Sequence, residues 1–144
     1  MAAAVIHVFE EYFKGFIDWM KETYPGGTKS LFIVVNAVFI ILCVLAALIN
    51  VAIPFFSLSI AGLLFINPLI HIGGTIRYRR YAPGVVSAIL LYIPLSLYAY
   101  YLYAEAGLVT LIVFILSVVL AIVWQVTPLS YMLIRKRLMK TRES

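Results

Sequence analysis

His7, Glu10 and Glu11 stand at i, i+3 and i+4, and Asn67 and His71 stand at i and i+4 further along the chain. On a helix either spacing puts the side chains on one face. One imidazole and two carboxylates directed the same way can move protons or hold a metal. Carboxylate–histidine pairs at this spacing bind iron or manganese inside helical bundles. Two histidines, two glutamates and the asparagines offer N and O donors suited to a divalent metal such as Zn, Fe or Mn. The candidate metal ligands are therefore His7, Glu10, Glu11 and His71, with Glu10, Glu11 and His71 as candidate catalytic groups. No other cofactor is assigned. Plainer readings stand beside these: the glutamates as solvated residues of an interfacial helix, and His71 as a single hydrogen-bonded core histidine.

Elements that could position such a cluster follow from composition. The chain has 144 residues, of which 65% are hydrophobic and 12% charged, and its mean hydropathy is +1.07. Soluble domains are nearer 45–50% apolar and about 25% charged. A water-soluble globule, a disordered tail and a nucleic-acid binder are excluded. The reading is an all-α, polytopic membrane helix bundle forming one domain over residues 1–144. A spanning helix needs about 20 apolar residues. Four stretches meet that test, giving helices near 30–53, 55–76, 84–104 and 107–135. A fifth helix near 2–22 is amphipathic: His7, Glu10, Glu11, Lys14 and Asp18 form one stripe, opposed by Val5, Phe9, Tyr12, Phe16 and Trp19. It either lies at the interface or inserts with its polar stripe inward.

Pro25-Gly26-Gly27 and Ala82-Pro83-Gly84 are expected breaks, and Pro68, Pro94 and Pro128 fall within spans. Tyr98, Tyr100, Tyr101 and Tyr103 read as an aromatic belt. The lone cysteine, Cys43, allows no intrachain disulfide. The net charge is +5. Its basic residues cluster at Arg77, Arg79 and Arg80, and at Arg135, Lys136, Arg137, Lys140 and Arg142. Alternating passes put both clusters on one side, which the positive-inside rule makes cytoplasmic. The C-terminus is then cytoplasmic. Arg77, Arg79 and Arg80 are topology determinants or headgroup contacts.

Counting inward from those clusters at 1.5 Å per residue puts Asn67 about 15 Å deep, His71 about 9 Å and Gln125 about 15 Å, and Asn36 lies about 9 Å beyond Ser30. If the first helix spans, Glu10 and Glu11 lie at about 15 Å as well. Polar side chains of four helices thus share one slab. Asn36, Asn67 and Gln125 are read as a supporting polar layer, with hydrogen-bonding glue between helices as the plainer reading of Asn36 and Gln125. Intramembrane ionisable groups are by default a functional-site hypothesis.

His7-Val8-Phe9-Glu10-Glu11 resembles the signature of the HXXEE-domain proteins, a family of small integral membrane proteins. Gly15-Phe16, Trp19, Asn36, Asn67, His71, the basic stretch 77–81, Pro83-Gly84 and Pro94 agree with it, so the resemblance covers roughly residues 5–95. It implies that His7, Glu10, Glu11, Asn67 and His71 form a site, and implies no reaction. The expectation is a membrane-embedded enzyme, with a divalent metal activating water or oxygen against a lipid or prenyl-like substrate. A small proton-coupled carrier and a non-catalytic scaffold are the alternatives. The bilayer is the expected partner, and association with further copies is left open.

Overall fold

Lipid offers the backbone no hydrogen-bond partners, so an apolar chain satisfies its amides within helices. The computed structural model describes residues 1–24 and 26–142, and these are helical with no strands. Pro25, part of one expected break, and the side chains of Lys140 and Arg142 lie outside the described residues. In chain order the helices are α1 (Ala2–Phe13), α2 (Phe16–Thr23), α3 (Lys29–Leu48), α4 (Pro54–Tyr78), α5 (Val85–Glu105) and α6 (Leu111–Arg142). The last four contain the stretches long and apolar enough to cross a membrane. The protein is a polytopic membrane bundle.

The helix expected over 2–22 is two helices. Gly15 breaks it, in the left-handed region at φ 81°. No atom crowds a Cβ there, so it is the backbone conformation that selects glycine. At 12 residues, α1 extends about 18 Å and is too short to span. It inserts instead. Ala4, His7 and Glu11 are buried against the bundle, while Val5, Ile6, Phe9 and Phe13 stay exposed where lipid would cover them. Beyond the bend, α2 is tied to the basic end of α4. Tyr78 donates to the Thr23 carbonyl, and Arg80 pairs with Glu22. Trp19 packs against Gly74 in a cluster with Met20, Phe32 and Met132.

Each span has its own punctuation. The Thr28 side chain caps α3 by accepting from the Leu31 amide at 3.2 Å, and α3 ends at Leu48, five residues short of the expected 53. Pro54 opens α4 at the first helical turn, where a missing N–H costs nothing. In α5 a π-helical turn over Ala88–Tyr92 precedes Pro94. Proline cannot donate to the carbonyl one turn back and its ring crowds that carbonyl, so a widened turn relieves both. The turn also carries Tyr92 into the bundle. α6 runs past the expected end at 135 to Arg142, because apolar composition stops at the membrane surface and helix formation does not.

α4 is the central helix, with α3, α5 and α6 packed on it and its broadest contact on α6. Small residues allow this approach. A Cβ on Gly62 would come within 2.9 Å of Ala121 Cβ and 3.3 Å of the Tyr100 hydroxyl. Next to it, Tyr100 bonds to the Leu58 carbonyl and to Ser117, and Trp124 donates to Ser59. Gly62→Val is expected to lower stability by about 1–3 kcal/mol through overpacking. Thermal melts in detergent, followed by helical circular dichroism, would measure it, and an unchanged melt would contradict this packing.

Candidate functional site

Glu11 lies between two imidazoles from different elements. Its Oε1 is 3.5 Å from His7 Nε2, one turn back on α1, and 3.4 Å from His71 Nε2 on α4. All three residues are buried, at 2%, 5% and 4% exposure for His7, Glu11 and His71. Their three donor atoms lie within 4.8 Å of one another. Metal–ligand bonds of 2.0–2.1 Å in tetrahedral geometry require ligand–ligand separations of about 3.3–3.4 Å, and the two measured distances fit. The group could therefore hold a metal ion on two nitrogens and one oxygen.

Further contacts orient the three side chains. The Ser87 hydroxyl lies 3.0 Å from His7 Nδ1. The same hydroxyl donates to the Gly84 carbonyl at 3.3 Å. His7 Nε2 faces the Glu11 carboxylate and has no hydrogen-bond partner among the described residues. The His71 ring stands edge-on to His7, with centroids 5.2 Å apart, and packs beside Phe16 at 5.6 Å. The Tyr92 ring lies 4.6 Å from His7. Thr75 fixes the neighbouring loop: it donates to the His71 carbonyl and accepts from the Ala82 amide. Burial opposes ionisation of Glu11, but the adjacent His7 and His71 rings hold its carboxyl below the usual range.

Glu10 departs from the expected ligand set. Its carboxylate turns away from the histidines and accepts from the Ser87 amide at 2.7 Å, the Val86 amide at 3.4 Å and the Tyr81 hydroxyl. Those amides are the unsatisfied donors of the first turn of α5, so Glu10 caps that helix from another element. Partial burial would raise its pKa, yet Ser87, Tyr81 and the two amides outweigh that and hold it at about 2. Tyr81 is pushed up to about 12 by burial and then by Glu10. The break at Gly15 also removes the premise of the 15 Å depth for this pair, because Glu10 meets the 81–87 segment at the basic end of the bundle.

The polar layer converges on one space. A cavity of about 910 Å³ is lined by His7, Glu11 and His71 and equally by Asn36, Asn67 and Gln125. Asn36 spends its amide on the Phe32 carbonyl of its own helix. Asn67 Oδ1 and the Tyr92 hydroxyl are buried with no partner among the described residues. Arg77, Arg79 and Arg80 are exposed and away from this cavity.

Residues 1–99 match the family described as protein of unknown function with HXXEE motif. The chain belongs to the HXXEE family. No curated protein and no solved structure shows significant similarity to it. In this HXXEE protein the histidine and second glutamate of the motif face His71, while the first glutamate serves the fold. Four residues of the site carry no signal of their own in the sequence: Tyr81, Gly84, Ser87 and Tyr92. Pro83-Gly84 marks a turn, but nothing local says that the turn lies 77 positions along the chain from a histidine it touches.

Proposed function

We propose that the protein is a metal-dependent membrane enzyme that acts on a lipid-like substrate held in its intramembrane cavity, with the basic end of the bundle facing the cytoplasm. The observation that carries this reading is the grouping of His7 Nε2, Glu11 and His71 Nε2 around one point on the wall of the 910 Å³ cavity. Two histidines and one carboxylate with an open position form a donor set used by zinc hydrolases and by non-haem iron enzymes. A buried metal bound there would supply a low-pKa water at neutral pH. In the hydrolysis of an ester, the water oxygen bonds to the acyl carbon, the ester C–O bond breaks, and the departing alcohol takes the proton. The unpartnered Tyr92 hydroxyl and Asn67 Oδ1 belong to residues lining the same space, where they would hydrogen-bond a substrate. The apolar remainder of the lining, such as Phe39, Leu42 and Leu63, suits hydrocarbon.

Elemental analysis tests the metal directly. Protein purified without chelator and resupplied in turn with Zn, Fe(II) and Mn is expected to retain about one equivalent of one of them, and His71→Ala to retain none. Failure of wild-type protein to hold any of the three would overturn the reading.

A further inference from the structure

The cavity has a direction. It begins at the basic end with Thr28, Ser30 and Arg135 and reaches Leu42 on α3. Leu42 is 13 residues beyond Lys29, so it lies about 20 Å in. The hydrocarbon of one leaflet is about 15 Å deep, half of a core of about 30 Å. The cavity therefore has the depth of one leaflet's chain plus a headgroup. His71, seven residues before Tyr78, lies about 10 Å in, so a molecule filling the cavity passes the His7, Glu11 and His71 centre.

The cavity is open sideways. Val34 and Val38 on α3 and Tyr131 on α6 line it and are nevertheless exposed. α3 packs on α4 and α1, and its contact with α6 is minimal. The sparse contact between α3 and α6 leaves Val34 and Val38 exposed at the level of the lipid chains.

Arg135 supplies the remaining element. It lines the cavity at its basic end and is half-buried. No carboxylate pairs with it among the described residues, where the ion pairs involve His7, Lys21, His71 and Arg80. A partly desolvated guanidinium with no counter-ion favours a carboxylate or phosphate, which its planar fork can bind through two hydrogen bonds.

We propose that the cavity binds a single-chain amphiphile with an anionic headgroup, the headgroup on Arg135 and the chain running past the His7, Glu11 and His71 centre toward Leu42. The volume lies near the top of the range of about 300–1,000 Å³ for small-molecule sites, which accommodates one chain with its headgroup. The proposal deepens the functional reading above and rests on it only for the chemistry that follows binding.

The protein carries its own reporters, because its two tryptophans, Trp19 and Trp124, both line the cavity. Bromine quenches tryptophan fluorescence at contact, so brominated lipids added to purified full-length protein in detergent read occupancy. The probes are 9,10-dibromostearate, the corresponding dibromostearoyl lysophosphatidate and the neutral dibromostearoyl monoglyceride. Saturable quenching by one or both anionic probes is expected, at concentrations at least about tenfold below the monoglyceride. The stronger of the two identifies the headgroup as carboxylate or phosphate. Arg135→Gln is expected to weaken the anionic probes about tenfold or more, as loss of a charged hydrogen-bond partner does. Arg137→Gln, exposed and off the cavity, is expected to change nothing. Equal affinity for the neutral probe, non-saturating quenching, or equal loss in both arginine variants would overturn the proposal. Glu11→Gln is expected to keep anionic binding. Wild-type protein that binds these probes and holds no metal would defeat the metal reading alone.

Discussion

Gly84→Ala is expected to abolish metal retention and to destabilise the protein by about 2–5 kcal/mol, the sum of backbone strain and overpacking. Gly84 has φ 95°, where a Cβ is strained by about 1–2 kcal/mol. That Cβ would also meet Glu11 Cγ at 2.8 Å, His7 Cε1 at 2.8 Å and His71 Cε1 at 2.9 Å. It would push on Glu11, His7 and His71 together, and a shift of a few tenths of an ångström in each would spoil the coordination shell proposed for them. Gly73 is the matched control: it sits in α4 with no atom within 4 Å of its Cβ position. Gly73→Ala is expected to be neutral or slightly stabilising. Metal content and denaturation midpoints of the two variants decide the matter. A Gly84→Ala protein with wild-type stability and full metal would show that the three side chains do not converge on that glycine.

The two glutamates of the motif are expected to separate cleanly. Glu11→Gln removes a ligand and with it the stabilisation the metal confers, about 4 kcal/mol when free metal stands at a thousand times its dissociation constant. Chelator should lower the wild-type melt by a comparable amount and leave the melt of Glu11→Gln where it was. Glu10→Gln loses instead a charged cap on α5, about 1–2 kcal/mol. It should keep its metal and its response to chelator. Melts of the three proteins with and without chelator, alongside metal analysis, give the comparison. Loss of metal in both variants to the same extent would return Glu10 to the ligand set.

Much of the site was legible because depth in a membrane is countable. At 1.5 Å per residue from two arginine-rich borders, and from Ser30 on α3, Asn36, Asn67, His71 and Gln125 fall into one slab, and all four line the same cavity. The count fails for Glu10 and Glu11 because it assumes a continuous helix, and the left-handed turn at Gly15 ends that assumption. It could not separate the two glutamates either. Neighbours on a helix differ by about 100° in direction, so an amphipathic stripe includes both, although only one can face a given partner. Which one does so is fixed by Ser87, Tyr81 and the first turn of α5. Those residues stand more than 70 positions away, with no periodicity linking them to the motif. The π-helical turn had a visible cause in Pro94, but that Tyr92 would be delivered against His7 depends on how α5 packs on α1.

The ligand-bearing helices and the wall opposite them belong to different parts of the chain. His7, Glu11, His71 and the orienting Ser87 all lie within residues 1–99, the stretch that matches the family. Trp124, Gln125, Tyr131 and Arg135 face the same space from α6, beyond that stretch. α6 supplies none of the three donor atoms, but it makes the broadest contact with α4, which carries His71. Under the proposed function, changes among the cavity-facing side chains of α6 would alter what the cavity accepts, while Ala121, set against Gly62, would be held by the fold.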